Sequence, residues 1–220
     1  GFFLFLGMGL QQYALQVSQI SNVAFITTLY VPIVGIISRF VFKSQLHWII
    51  WIAILLCVYG SYLLSSNQSI EIQHSDALIF ISAFCFAFHI ILIDVFMKQF
   101  NSPFTYGSIQ YFVVFLLSLV IAGAYENPTL KNISIEWFEI LYTGILSAGL
   151  GYTLQIIAQH KASPAPAAII LSMEGVFATI AGWLLINQTL DLNKLLGCIA
   201  IFLGVIIVQL LPIIKKSNDK

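Results

Sequence analysis

The chain has 220 residues, of which 60% are hydrophobic and only 8% are charged, and its formal net charge is zero. Soluble domains contain about 45–50% apolar and about 25% charged residues, so this composition excludes an ordinary soluble domain. The absence of a net positive charge also removes the basic surface typical of nucleic-acid binding. The composition indicates a protein that crosses the lipid bilayer several times.

Apolar segments long enough to span a bilayer follow one another along the chain. A span needs about 20 mostly apolar residues, and backbone groups inside hydrocarbon must pair within their own segment. The sequence therefore predicts an all-α membrane protein with about eight transmembrane helices. The predicted spans are 1–17, 22–42, 47–64, 77–97, 103–124, 137–158, 166–186 and 194–211.

Two polar loops, 65–76 and 125–136, and a basic tail, 213–220, separate or follow these spans. The chain begins at Gly1, inside an apolar run and without a methionine. We therefore expect the true N-terminus to lie further upstream.

The distribution of lysine and arginine predicts the orientation, because these residues accumulate in cytoplasmic loops. With the C-terminus in the cytoplasm, two of them (Lys131 and Lys194) fall outside. The other seven fall inside: Arg39, Lys43, Lys98, Lys161, Lys215, Lys216 and Lys220. We expect a multi-pass protein of the plasma membrane, the inner membrane in a bacterium, with a cytoplasmic C-terminus.

The first three spans resemble the last three. The segment 23–36, VAFITTLYVPIVGI, aligns with 166–179, PAAIILSMEGVFAT, and YALQV at 13–17 aligns with YTLQI at 152–156. Leu46 then matches Leu190, and Gly60 matches Gly204. The matched spans run through the membrane in opposite directions, and such inverted repeats are typical of secondary transporters.

The repeat predicts the organisation of the chain. Residues 1–64 form the last three helices of a first unit, 77–212 form a five-helix second unit, and 213–220 form a cytoplasmic tail. The late unit has two spans before its matching three. We therefore expect two further spans upstream, which makes this chain the last eight helices of a ten-helix fold.

The segments SPAPAAIILSMEGVFATIAGWLLINQTL, GLGYTLQIIAQHKAS and LQQYALQVSQISNVAFITTLYVPIVGI resemble motif regions of the drug/metabolite transporter superfamily, in its EamA-like branch. Two positions depart from that pattern. The proline that usually follows the glutamate is Gly175 here, although Pro32 occupies the matching early position. The usual Gly-Glu before the last span is Asn187-Gln188.

The resemblance implies a secondary transporter that moves small metabolites, amino acids or related compounds, by alternating access, with export as the expected direction. It implies no cofactor. It leaves the identity of the substrate, the coupling ion and the oligomeric state open.

Glu174 is the first candidate for a binding residue. Placing a lone carboxylate in the middle of an apolar span costs free energy, so such a residue is taken as functional by default. It would bind a substrate amine or a proton. The alternative is a structural carboxylate that is bonded to a neighbouring helix, where small residues allow close contact.

His89 lies near the middle of the fourth span, and histidine is the side chain that titrates nearest to neutral pH. Proton coupling through His89 or Glu174 is a further expectation. The alternative for His89 is a hydrogen-bonded core residue.

Amide and aromatic side chains complete the predicted substrate site. Gln12, Gln110 and Gln155 match positions in the family, and amides in hydrocarbon need partners. Tyr152 is the candidate aromatic residue, although aromatic residues near span ends also form interfacial belts.

Two local predictions concern packing. Asp94 and Lys98 are spaced for an ion pair on one helix face. Gly144, Gly149 and Gly151 predict a sixth span packed closely against a neighbour.

Two other classes of function fit less well. A membrane enzyme would need paired acids or a metal-binding cluster, and the sequence contains neither a DxxxD nor an HExxH motif. A channel would show a ring of charges or a filter loop. We retain a channel or a non-transporting membrane scaffold as the alternative to a transporter.

Overall fold

The structure is a computed structural model that describes residues 1–18, 20–65, 76–126 and 129–218. Every regular element in these ranges is helical, which confirms the predicted all-α membrane protein. The elements are α1 (Phe2–Val17), α2 (Ile20–Thr28), α3 (Tyr30–Phe40), α4 (Trp48–Ser65), α5 (Asp76–Phe100), α6 (Pro103–Tyr125), α7 (Leu130–Ile135), α8 (Trp137–Leu141), a π-helix (Tyr142–Gly151), α9 (Tyr152–Gln159), α10 (Pro164–Leu171), α11 (Met173–Ile186) and α12 (Leu192–Asn218).

Within these ranges, seven helical stretches are long and apolar enough to cross a bilayer. Helix α1 has 16 residues and is also apolar, so the stretches together agree with about eight predicted spans. The seven stretches are Asn22–Phe40, Trp48–Ser65, Asp76–Phe100, Pro103–Tyr125, Trp137–Gln159, Pro164–Leu185 and Leu192–Leu211.

The segments between and after the spans differ from simple loops. The predicted loop 125–136 contains α7, whose first turn is capped by Thr129, because the Thr129 hydroxyl accepts a hydrogen bond from the Asn132 N–H at 3.2 Å. Helix α12 continues through the predicted tail as far as Asn218. Residues 66–75 of the first polar loop lie outside the described ranges.

The second and seventh spans are each interrupted at one residue. Leu29 separates α2 from α3, and Ser172 separates α10 from α11. The alignment of 23–36 with 166–179 places these two residues opposite each other. Their backbone angles are nearly the same, with φ −61° and ψ −10° at Leu29 and φ −62° and ψ −14° at Ser172.

Local chemistry explains both interruptions. Pro32 has no N–H, so the carbonyl of Thr28 loses its helical donor and the backbone of the second span bends there. In the seventh span, the Ser172 hydroxyl donates to the Ile169 carbonyl at 2.6 Å. The Gly175 N–H donates to the carbonyl three residues earlier, at 3.2 Å, which tightens the turn.

Helices α4 and α12 form the closest helix pair of the fold, and they run antiparallel. A methyl group added to Gly60 would come within 2.7 Å of the Gly197 carbonyl oxygen. One added to Gly204 would come within 3.0 Å of the Ala53 carbonyl oxygen. Since residues later in α4 face residues earlier in α12, the third and eighth spans cross in opposite senses, as an inverted repeat requires.

The remaining core lies around α5. Helix α1 packs along α5, and the Ser82 hydroxyl of α5 donates to the Gly7 carbonyl of α1 at 2.7 Å. Helices α3 and α10 pack against each other and against α5. Helix α5 also carries the predicted ion pair, in which Lys98 Nζ lies 2.7 Å from an Asp94 carboxylate oxygen.

The glycine prediction for the sixth span is wrong. Gly144, Gly149 and Gly151 lie in the π-helix, which contains no buried residue, and a methyl group added to any of them would meet no atom of another helix within 4 Å. A methyl group on Gly149 would instead meet the Gly144 carbonyl of the same helix, at 3.1 Å. These glycines therefore accommodate the wider helical turn and do not serve helix contact.

Candidate functional site

A cavity of about 100 Å³ lies where the two interrupted spans meet α1, α5 and α9. We name it the Glu174 cavity. Four of its lining residues belong to the interruptions or their flanks: Thr27, Tyr30, Leu171 and Glu174. The other lining residues come from the surrounding helices and are Gln11, Phe86, His89, Ile90, Tyr152 and Gln155.

The interruption in the seventh span positions Glu174. The residue lies in the first turn of α11, where the positive end of the helix dipole favours a carboxylate. Its side chain is exposed and lines the cavity. Tyr30 and Tyr152 line the same cavity as the carboxylate.

Tyr30 joins the two interrupted spans. It is the first residue of α3, is 8% exposed, and its hydroxyl donates to the Ala168 carbonyl of α10 at 3.5 Å. The ring therefore lies at the contact between α3 and α10. This position places it in the wall of the Glu174 cavity.

Tyr152 begins α9 directly after the π-helix, and its ring meets the ring of His89 edge-on, with 5.9 Å between centroids. Tyr111 of α6 braces this region, since its hydroxyl lies 2.8 Å from Thr153 Oγ1 and donates to the Gly149 carbonyl at 3.1 Å. Helices α6, α9 and the π-helix are thereby linked behind Tyr152.

His89 lies in the wall between two cavities. It is 3% exposed, and its Nε2 has no hydrogen-bond partner among the described residues. Besides the Glu174 cavity, it lines an apolar cavity of about 650 Å³ formed by α1, α5 and α6, which we name the Gln110 cavity.

The six predicted site residues therefore separate into three groups. Glu174, His89, Gln155 and Tyr152 line the Glu174 cavity. Gln110 is 1% exposed and lines the Gln110 cavity, where it shares a wall with His89. Gln12 is exposed and lines neither cavity.

Gln11 lies in the Glu174 cavity where Gln12 was expected, and its amide donates to Thr27 Oγ1 at 3.2 Å. The spacing of the buried residues in α1 indicates that Gln11, and not Gln12, faces the protein interior. Leu4, Gly7 and Ala14 are the buried residues of α1, and Gln11 continues their spacing of three and four. Gln12 is rotated by about 100° from that face.

A third cavity, of about 810 Å³, lies between α2, α4 and α11. We name it the Lys194 cavity after the charged residue in its wall. Thr28 and Gly175 line it, while their chain neighbours Thr27 and Glu174 line the Glu174 cavity. The two interruptions therefore separate the cavities from each other.

Comparisons with known proteins agree with this architecture. The profile of the EamA-like transporter family matches residues 74–210, which is more than half of the chain. An uncharacterized transporter of Archaeoglobus fulgidus is 30% identical over 94% of this chain and 66% of its own length.

Two further relatives match about half of the chain. A WAT1-related protein of Arabidopsis thaliana is 28% identical over 51% of this chain and 30% of its own length. An uncharacterized transporter of Clostridium kluyveri is 26% identical over 53% of this chain and 37% of its own length. The chain thus spans less than two thirds of each of these three relatives.

One solved crystal structure superposes with a TM-score of 0.80 over 94% of this chain and 75% of that chain. The two sequences are 14% identical, so the likeness concerns the fold alone.

Proposed function

Because the chain belongs to the EamA-like transporter family, we propose that it is a secondary transporter that exports small metabolites, amino acids or related compounds, by alternating access. The proposed substrate site is the Glu174 cavity. The observation that carries this proposal is a mid-span carboxylate that lines a cavity between two interrupted helices of opposite direction. Substrate sites of many secondary transporters lie near the bilayer midplane, where two inverted repeats meet.

The chemistry of the cavity suits a small polar ligand. Glu174 offers a carboxylate, and Gln11 and Gln155 offer amide donors and acceptors. In a medium of low dielectric constant, such groups bind a complementary ligand strongly, because water does not compete. The aromatic rings of the same wall provide the apolar contact surface.

The two ends of the interrupted spans differ in how closely their helices pack, and this difference supports alternating access. Helices α3 and α10 pack against each other and are joined through Tyr30 and Ala168. Helices α2 and α11 instead flank the 810 Å³ Lys194 cavity. This difference supports a proposed cycle in which one end is packed while the other is open, and in which the pseudo-symmetric state would reverse the two ends.

We further propose that the Lys194 cavity opens to the outside of the plasma membrane. The basis is the excess of lysine and arginine that the predicted orientation places in the cytoplasm. In this orientation the C-terminus is cytoplasmic, and the contact between α3 and α10 closes the cytoplasmic end of the path.

Transport by the purified protein in sealed vesicles tests the proposal. A panel of radiolabelled metabolites would be exchanged across the membrane, with and without a pH gradient. For any substrate that moves, we expect Glu174→Gln to lower the exchange rate by about 10-fold to 100-fold, because hydrogen bonds to charged groups contribute about 1.5–3 kcal/mol.

Glu139→Gln is the matched control, since Glu139 is an exposed acid on α8 away from the cavity. It should leave exchange unchanged. Saturable exchange supports a transporter, whereas a steady ionic conductance would favour a channel. Absence of exchange for the whole panel would contradict the proposed function.

A further inference from the structure

We propose that the Glu174 cavity selects organic cations, so that the transported compounds carry an ammonium group without an internal carboxylate. This inference rests on the proposed transport function and narrows its substrate class from small metabolites in general to amines without an acid group, which leaves out free amino acids. It follows from the charge, the aromatic content and the size of the cavity.

The acid in the cavity wall has no basic counterpart among the described lining residues. Glu174 is the only carboxylate among the described lining residues, and neither lysine nor arginine lines the cavity with it. Glu174 also forms no ion pair with any described residue. A charged group inside a membrane span needs a partner, and none of the described residues that line this cavity is a lysine or an arginine.

The same charge distribution discriminates between ligand classes. A substrate carboxylate or phosphate would enter a wall that already holds a carboxylate, and like charges in a medium of low dielectric constant repel strongly. A zwitterionic amino acid would bring its own carboxylate to this wall. An amine without an acid group carries no such penalty, so the wall favours it.

Aromatic rings line the same cavity as the carboxylate. Tyr30, Phe86, His89 and Tyr152 all line the cavity. The face of an aromatic ring attracts a cation, and this attraction is stronger when the site is desolvated. Glu174 lines the same cavity as these rings. Recognition of ammonium groups uses this combination of a ring cluster and an acid.

The size of the cavity limits what it holds. Its volume of about 100 Å³ is well below the roughly 300–1,000 Å³ of pockets that enclose drug-sized ligands. The cavity therefore fits an ammonium head group and not a whole drug-sized molecule.

Paired probes of equal shape test the proposal. Choline carries a trimethylammonium group, and 3,3-dimethyl-1-butanol has the same shape without the charge. We expect choline to raise the thermal unfolding midpoint of the purified protein, with an apparent Kd at least about 10-fold lower than that of the neutral isostere. Glu174→Gln should remove this preference.

Variants of Tyr152 separate the ring from its hydroxyl. Tyr152→Leu removes the ring and should weaken choline binding by about 3-fold to 30-fold, whereas Tyr152→Phe keeps the ring and should weaken it less. Tyr142→Leu is the control, because Tyr142 is exposed on the π-helix and does not line the cavity.

The outcomes separate this inference from the proposed function. Equal binding of choline and its isostere, or preferred exchange of anionic or zwitterionic metabolites, would overturn the cation preference while transport stands. Choline binding that depends on Glu174, without exchange of any compound in vesicles, would support the ligand class and contradict the transport function.

Discussion

Several buried polar side chains have no hydrogen-bond partner among the described residues. They include His89 Nε2 and both amide atoms of Gln110 and of Gln159. A buried polar group without a partner costs about 1–3 kcal/mol. His89 and Gln110 line cavities, so a ligand can supply their missing partners. At the scale of single residues, these unpartnered groups therefore lower the stability of the ligand-free protein, and binding of a ligand would offset that loss.

His89→Phe tests this trade between stability and function. The phenyl ring can keep the contact with Tyr152 and removes the unpartnered nitrogen. We expect the variant to be more stable by about 1 kcal/mol in unfolding titrations in mixed micelles, and its transport rate to fall.

His160→Phe is the matched control, because His160 is exposed at the end of α9 and its replacement should change stability by less than about 0.5 kcal/mol. A less stable His89→Phe variant with unchanged transport would mean that His89 serves the core alone.

At the scale of elements, the interrupted spans determine where the site lies. Leu29 and Ser172 occupy matching positions of the repeat and adopt the same turn. The surrounding sequences differ, because the early segment has Pro32 but no matching serine, and the late segment has Ser172 but no matching proline. Pro32 causes the first interruption and a serine side chain stabilises the second. The two units therefore reach one geometry through different chemistry, and Gly175 in place of the usual proline does not remove the bend.

The antiparallel pair α4 and α12 gives a prediction for packing. Gly60→Ala would place a methyl group 2.7 Å from the Gly197 carbonyl, which is backbone and cannot move aside. We expect this substitution to destabilise the fold by about 1–3 kcal/mol, as overpacking does. Unfolding titrations in mixed micelles provide the measurement.

Gly123→Ala in α6 is the control, because no atom lies within 4 Å of the added methyl group. Alanine is the better helix former by about 1 kcal/mol, so this variant should be as stable as the parent or slightly more stable. Similar losses in both variants would argue against a close crossing of α4 and α12.

At the scale of the whole molecule, large apolar side chains face outward along the spans. Phe112, Phe115, Leu119 and Val120 of α6 are each more than half exposed. Lipid acyl chains cover such faces in a bilayer, so exposure of this kind is compatible with a stable multi-pass protein.

The inverted repeat gives a prediction for topology. Gln45 and Thr189 are exposed and occupy matching positions in the two repeats, beside the matched pair Leu46 and Leu190. We expect a cysteine at position 189 to react with a membrane-impermeant maleimide in intact cells. A cysteine at position 45 should react only after permeabilisation.

Both variants would be made in a background without Cys57, Cys85 and Cys198, and that background alone is the control. Labelling of both positions from the same side would contradict the inversion. Reversed labelling would contradict the proposed orientation and leave the inversion intact.

Sequence patterns predicted the helical class, the spans and the matching of the two repeats, because these depend on long apolar runs and on residue order. They also predicted the Asp94–Lys98 pair, which is a contact within one helix. The patterns indicated Gln12 where Gln11 faces the cavity, and they assigned tight packing to the glycines of a π-helix. Each of these two errors concerns which way a residue faces.

By itself, the sequence determined that this protein crosses a membrane several times, and it predicted that two of its segments repeat with opposite direction. Only the tertiary structure decided which helix faces meet, where both repeats bend, and which polar residues share a cavity. The physical reason is that lipid and protein core are equally apolar, so hydropathy reveals a span without revealing its inward face.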